Sequence, residues 1–182
     1  MHFEIKVSNT LFLKLRHKED AEAIFLLTDK HRDYLRPWFP WVETTRTVDD
    51  TKKYIEGELE NFEKKTGADF GIWYEEKWIG SMGYHAINAA NKKAAIGYWL
   101  AEDFTGKGVM TECMKVLISY GFKELGLNRI EIECFTSNTK SRAVAERLGF
   151  TLEGVLRKSH VVNGVAEDNY IFSLLKEEWE GL

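Results

Sequence analysis

The sequence predicts a single mixed α/β (α+β) domain over residues 1–182, built on a central, twisted, mostly antiparallel sheet of about seven strands with flanking helices. Three observations lead there. Segments with a period of two and segments with a period of 3.6 both recur along the chain. They follow the order strand, two helices, three strands, helix, strand, helix, two strands, which is not a repeating βαβ wheel. No repeat, low-complexity tract or Pro/Gly/Ser linker divides them, and a chain of 182 residues is the size of one domain, able to bury roughly 70% of its extended-chain surface.

Taken in order, residues 10–16 alternate as a strand. Residues 18–36 carry Ala21, Ile24, Phe25, Leu27 and Leu35 at helical spacing. Pro37 ends that helix, because it disfavours helical geometry in the residue before it. A second helix opens at Thr47, whose hydroxyl can cap free amides while Asp50 stands three residues on. It runs through Tyr54, Ile55, Leu59 and Phe62 and is expected to end at Gly67 in a left-handed cap. Strands at 70–74 and 78–87 flank the acidic turn at 75–77, and a third follows at 93–100. Gly97 inside that third strand predicts a bulge or a close approach.

The strongest helical pattern covers 109–125. Glu112, Lys115, Ser119 and Lys123 mark its wet face, Val109, Cys113, Val116, Leu117, Tyr120 and Phe122 cover most of the rest, and Gly126 ends it. Residues 129–136 alternate without fault, with Ile130, Ile132 and Cys134 on one side. A short helix from about 138 to 148 stops at Gly149. Strands at 151–162 and 167–175 close the chain, joined at Asn163-Gly164, a favoured hairpin pair.

Composition narrows the function. With 25 basic and 29 acidic residues the net charge is −4, so no strongly basic face for nucleic acid is advertised. No apolar run approaches the roughly 18 residues of a membrane span. The start, MHFEIKVSNT, lacks both the basic beginning and the apolar centre of a secretory signal. The two cysteines, Cys113 and Cys134, read as reduced thiols in a cytoplasmic enzyme.

The segment Thr105-Gly106-Lys107-Gly108-Val109-Met110-Thr111 lies between a strand and the strongest helix. Glycines there let the backbone approach a ligand, and the first helical amides point outward without partners. Such a nest suits a pyrophosphate, with Lys107 as a mobile positive charge. The plainer reading is ordinary turn chemistry. The spacing is neither that of a nucleotide-triphosphate P-loop nor the dinucleotide fingerprint.

One strand later stand Asn138-Thr139-Lys140-Ser141-Arg142 and Ala143-Val144-Ala145-Glu146-Arg147-Leu148-Gly149-Phe150. With these the sequence resembles the GNAT superfamily of acetyltransferases, in particular the RimJ/RimL type that acetylates ribosomal-protein N-termini. The likeness extends to Ile96-Gly97-Tyr98-Trp99-Leu100, to Leu35-Arg36-Pro37-Trp38-Phe39-Pro40-Trp41, and to Gly154, Asp168, Leu175 and Glu178-Trp179 near the end. It implies acetyl-CoA as cosubstrate, no metal, and a GNAT-type fold in which strands 93–100 and 129–136 splay apart. The pyrophosphate would lie on residues 105–111, where Thr105 and Met110 depart from the family's pattern. The pantetheine arm would pair near Trp99 and Leu100 and meet Asn138, for which helix capping is the plainer role. Ser141 would return a proton to the CoA thiolate, the plainer reading being a surface serine.

The general base is where the sequence departs. Many members carry a glutamate where Ala95 stands, and the glutamate of the RimL type falls at His160, which can accept a proton near neutral pH. His85 is a further candidate for the acceptor site or the base. Trp38 would wall the acceptor, excluding water from the thioester, and Asp168 would orient neighbours or meet the amine. An α-amine with pKa about 7.8 is free for roughly a tenth of the time at neutral pH, whereas a lysine amine near 10.4 is free for less than about a thousandth. A site without a dedicated carboxylate therefore suits an α-amine, and the expected acceptor is a protein N-terminus of the ribosomal kind. The alternatives are a small amine (polyamine, amino acid or aminoglycoside) or a non-catalytic acyl-CoA-binding module. A homodimer is an option that the aromatic content could supply with an interface.

Overall fold

The computed structural model describes residues 3–162 and 164–180. Eight strands join in one sheet: β1 (Glu4–Lys6), β2 (Leu11–Leu15), β3 (Ala68–Tyr74), β4 (Lys77–Asn88), β5 (Lys93–Leu100), β6 (Arg129–Phe135), β7 (Thr151–Val162) and β8 (Val165–Leu175). Their order across the sheet is β1-β2-β3-β4-β5-β6-β8-β7. Every neighbouring pair is antiparallel except β5 and β6, which run parallel. The helices are α1 (Ala21–Lys30), α2 (Arg32–Leu35), α3 (Val48–Glu63), α4 (Val109–Lys123), α5 (Thr139–Arg147) and α6 (Lys176–Glu180). The strand missing from the sequence reading is β1, too short to show a period but paired with β2 from Glu4↔Lys14 to Lys6↔Phe12.

Alternation decides what each face of the sheet carries. Leu11, Leu13, Phe70, Ile72, Met82, Tyr84, Ile96, Ile130 and Ile132 share the main core with Cys113, Met114, Leu117, Ile118 and Phe122 of α4. Each fully buried aliphatic or aromatic side chain there contributes about 1.5–3 kcal/mol. The Tyr84 hydroxyl donates to the Leu117 carbonyl, which satisfies the polar end of a buried ring. The opposite face is covered by α1 and α3, where Ala21, Ile24, Ile55 and Trp78 form a smaller core against Trp73 and Trp99.

Several boundaries differ from expectation for tertiary reasons. The helix over 18–36 is a 3₁₀ turn, then α1, then α2, broken at His31 (φ −106°, ψ 17°). The Arg32 guanidinium reaches the carbonyls of Val42 and Thr45, which swings α2 towards the 3₁₀ turn Pro40–Glu43. Helix α3 has the expected Thr47–Asp50 capping box, but its left-handed closing residue is Lys65 (φ 58°), not Gly67. Gly97 carries no bulge. The irregularity lies in the partner strand β4, between His85 and Asn88 and so opposite residues 93–95, with Ala86 left-handed (φ 53°). Glu75 and Glu76 (φ 47° and 62°) make the tight turn from β3 to β4. Helix α5 ends at left-handed Gly149 as expected. Asn163 of the expected turn pair lies outside the described residues. Cys113 and Cys134 are both buried free thiols.

Two features bear on stability. A Cβ on Gly83 would lie 2.3 Å from the Ala68 carbonyl oxygen and 2.6 Å from the Asp69 Cα, backbone atoms that cannot rotate away. Gly83→Ala is expected to cost about 1–3 kcal/mol as overpacking, read as a lower urea midpoint at unchanged slope. At the closed end of the β5–β6 pair, Arg129 binds Glu153 through both terminal nitrogens at 2.6 Å, and Ser173 donates to the same carboxylate. These bonds hold Glu153 down at about 2, below its ordinary 4.5. A depressed carboxylate stabilises the fold above its unfolded pKa and loses that contribution as pH falls. Because the pair is exposed the effect is small. Thermal unfolding should show Glu153→Gln less stable than the parent at pH 6, with the difference closing between about pH 4.5 and 2.

Candidate active site

The parallel pair β5–β6 is joined only at Lys93↔Arg129, Ala94↔Ile130 and Ala95↔Glu131. Beyond Ala95 and Glu131 the strands part, β5 continuing to Leu100 and β6 to Phe135. Main-chain groups on this inner edge of β5 therefore face a slot instead of a strand, and a buried main chain needs partners. The splay expected around Trp99 and Leu100 is present, and an extended ligand arm fits it chemically.

One end of the slot leads to the expected cradle. After the 3₁₀ turn Glu102–Phe104, Thr105 folds back through its amide (3.0 Å) and hydroxyl (2.9 Å) to the Glu102 carbonyl. Gly106 (φ 73°) and Gly108 (φ 80°) are both left-handed, conformations that cost other residues strain. Gly108 caps α4 with no side chain on the helix amides, and a Cβ on Gly106 or Gly108 would meet nothing within 4 Å. The turn leading to Val109, Met110 and Thr111 is thus open to an anion at the positive end of a 15-residue helix. Two cations border it. Lys107 rests 5.4 Å above the Phe104 ring, and Arg147 of α5 donates to the Thr111 hydroxyl at 3.1 Å. Arg147 carried no sequence signal, because only the packing of α5 beside α4 brings it here.

On the β6 side of the slot, Asn138 caps α5 by accepting from the Ser141 amide at 3.1 Å, so its plainer role is realised. The Ser141 hydroxyl lies 2.8 Å from the Tyr98 hydroxyl, which also reaches the Ser141 carbonyl at 3.2 Å. Tyr98 thus links β5 to α5. Burial pushes its pKa upward, so it stays a neutral hydrogen-bond donor. Cys134 adjoins the same group: burial raises its thiol pKa, and a hydrogen bond with Ser141 acts the other way. Neither Tyr98 nor Cys134 was singled out from sequence as a site residue, since a cross-strand neighbour is invisible in one chain.

The opposite face of the sheet gathers the remaining candidates. Trp38 packs 6.4 Å from Phe135, and Phe135 stands edge-on to the His160 ring at 6.1 Å. Trp38 also lines a cavity of about 390 Å³ with Tyr34, Glu102, Asn138 and Lys140. His160 is exposed, with Nδ1 at 2.8 Å from the Asn169 amide nitrogen. With the amide so assigned, the neutral ring keeps its proton on Nε2. Asn169 is 3% exposed and its Oδ1 has no partner among the described residues, an orphan acceptor beside the aromatic cluster. Asp168 turns away from this group. Its carboxylate accepts from the Lys158 amide at 2.9 Å and steadies left-handed Lys158 (φ 52°) in the bulge between Leu156 and His160. His85 is exposed, its ring lying against Gly97, where a Cβ would come within 3.0 Å of Cε1. Among the described residues no group of three or more His, Cys, Asp or Glu side chains is placed to hold a metal. None of their helices is long and apolar enough to cross a membrane.

Comparison with known proteins decides the family. The acetyltransferase (GNAT) domain matches residues 10–151. The chain belongs to the GNAT acetyltransferases. It is an enzyme of acetyl transfer on the mixed, mostly antiparallel fold that family shares. It is 37% identical over 180 residues to the putative ribosomal N-acetyltransferase YdaF of Bacillus subtilis (strain 168), covering 98% of each chain. It is 30% identical over 169 residues to the ribosomal-protein-serine acetyltransferase of Escherichia coli (strain K12), covering 93% of this chain and 94% of the other. Among solved structures, RimL, a ribosomal L7/L12 alpha-N-protein acetyltransferase in complex with coenzyme A, superposes with a TM-score of 0.93. That likeness holds at 28% identity over 97% of this chain and 99% of the other.

The cradle has a direct test. Gly108→Ala places a Cβ in a left-handed conformation that costs about 1–2 kcal/mol. Calorimetric titration should show coenzyme A binding about tenfold weaker or worse. Lys107→Ala, which leaves the main chain alone, should weaken it less and in a salt-dependent way.

Proposed function

We propose that this enzyme moves acetyl from acetyl-CoA to the α-amine at the N-terminus of a protein, with ribosomal proteins as the acceptor class. The observation that carries the reading is the slot between β5 and β6, ending at a cradle that no side chain caps and flanked by a Tyr98–Ser141 hydroxyl pair. The pyrophosphate lies on the amides from Gly106 to Thr111, with Lys107 and Arg147 offsetting its charge. The pantetheine arm pairs with the main chain near Trp99 and Leu100 and passes Asn138. Three of the proteins it resembles carry the names of ribosomal or ribosomal-protein acetyltransferases, one of them as putative, and these names support the acceptor class.

The chemistry needs no covalent enzyme intermediate. The amine lone pair attacks the thioester carbon, a C–N bond forms, and a main-chain amide near Trp99 or Leu100 meets the developing oxyanion. The C–S bond then breaks with its electron pair on sulfur. Ser141 returns a proton to the thiolate and recovers it through the Tyr98 hydroxyl. The demand on Ser141 is modest, because a thiol with pKa of about 8.5 is a fair leaving group. Trp38 and Phe135 screen the acceptor from water, and the orphan Asn169 Oδ1 accepts from the incoming N–H.

Peptides beginning with a free serine, their Nα-blocked and lysine-containing counterparts, and spermidine form the decisive panel, with release of free thiol as the readout. Turnover on the free α-amine alone supports the reading. Turnover only on spermidine or lysine overturns the acceptor. Ser141→Ala should lower kcat about ten- to a hundredfold, at the weak end of general acid catalysis, while coenzyme A affinity changes less than threefold.

A further inference from the structure

The acceptor amine must lose a proton as the C–N bond forms, and the position where many family members keep a carboxylate is Ala95. The structure fills that place from the neighbouring strand. Ala95 stands directly opposite His85 of β4 and is itself half of the last joined pair of β5 and β6, Ala95↔Glu131. Two residues further along β5 is Gly97. Because it has no side chain, the His85 ring lies across it, so close that an added Cβ would sit 3.0 Å from Cε1 and 3.4 Å from Nδ1. The ring therefore reaches from β4 over β5 to the mouth of the slot.

Strand alternation puts His85 on the face opposite Tyr84 and Tyr98, together with Gly97, Trp99, Glu133 and Phe135. This is the face that carries Trp38, away from the cradle helix. Two carboxylates act on the ring. Glu133 stands on β6, two residues past the last joined pair, exposed and with no ion-pair partner among the described residues. Asp69 of β3 is held by buried Arg16 of the chain after β2, by Tyr54 of α3 and by Ser81 of β4. Partial desolvation against the sheet lowers the pKa of His85, and the charges of Asp69 and Glu133 offset this only in part. Since the charge on Asp69 is matched by Arg16, Glu133 is the carboxylate free to answer a positive ring.

We propose that His85 is the proton acceptor of the transfer reaction and that Glu133, across the slot, is the positioning residue that stabilises its charged form. The inference rests on the transferase reading above. A neutral His85 nitrogen takes the N–H proton of the attacking amine. The C–N bond forms, the C–S bond breaks towards sulfur, and the thiolate is protonated from the Ser141 side. The imidazolium, flanked by Glu133 and Asp69, then gives its proton to water at the exposed edge of the ring. The sum is amine plus thioester to amide plus thiol, the proton that His85 gives to water being matched by one that water returns to the Tyr98–Ser141 pair.

The test compares kcat against pH, at saturating acetyl-CoA and saturating serine peptide, for the parent, His85→Gln and Glu133→Gln. If the peptide is not turned over by the parent, the acceptor class falls, and the same comparison with spermidine still judges the base. His85→Gln should lower kcat about a hundredfold near neutral pH and flatten its acid limb, with coenzyme A affinity by calorimetry within threefold. Glu133→Gln should move the acid limb to lower pH and cost less than tenfold at pH 8, because losing a nearby negative charge lowers the pKa of a histidine. Parent-like kcat and acid limb in His85→Gln overturn the proposal. So does an unmoved limb in Glu133→Gln, which decides the matter should His85→Gln lose coenzyme A binding through misfolding.

Discussion

The separation of two parallel strands is the constraint on which the site depends. A sheet interior satisfies its main chain by pairing, and β5 and β6 give that up after Ala95 and Glu131. Both ends of the opening are braced by side chains. At the closed end Lys93 and Arg129 share Glu131, and Arg129 also grips Glu153, so the last joined pair is tied to β7. At the open end Tyr98 reaches across to Ser141. A gap braced on both sides neither closes into a continuous sheet nor widens, and its unpaired edge is left for an extended ligand.

The same parting divides the chemistry between two faces. Alternation along β5 sends Ile96, Tyr98 and Leu100 towards α4, and Ala95, Gly97 and Trp99 to the other side. The open amides at the start of α4 and the hydroxyls of Tyr98 and Ser141 thus belong to the α4 side. Aromatic rings, His85, Glu133 and the Asn169–His160 pair belong to the side facing Trp38. On the proposed reading, acyl donor and amine would approach a single strand from opposite sides, which would keep the leaving thiolate apart from the group proposed to deprotonate the nucleophile.

Much of this was legible in the chain. The Thr47–Asp50 cap, the alternation of 129–135, the helix after Gly108 and the stop at Gly149 are local features whose causes lie within a few residues. What escaped was set by distant partners. The break at His31 answers to Arg32 reaching Val42 and Thr45, and the end of α3 moved to Lys65 although Gly67 stood ready. The cradle could be read because glycine spacing reports backbone conformation directly. Tyr98, Cys134, Glu133, Asn169 and Arg147 could not, because their roles come from neighbours across strands or helices.

Gly97 shows how a local reading can leave the partner unnamed. In sequence it is a strand glycine, for which a bulge or a close approach is the local explanation, and the structure shows the second. In the structure the irregularity is in β4, and the missing side chain makes room for His85. A side chain at 97 would crowd the ring, which would have to give by a few tenths of an ångström, and a long side chain at 95, directly opposite His85, would compete for the same space. Small residues at 95 and 97 and a histidine at 85 are therefore one arrangement. The difference matters to the acceptor. An imidazole whose pKa is lowered by desolvation is neutral and ready to accept a proton near pH 7, which matches an amine that is already partly neutral there, whereas a lysine amine, protonated for all but about a thousandth of the time, would ask far more of it.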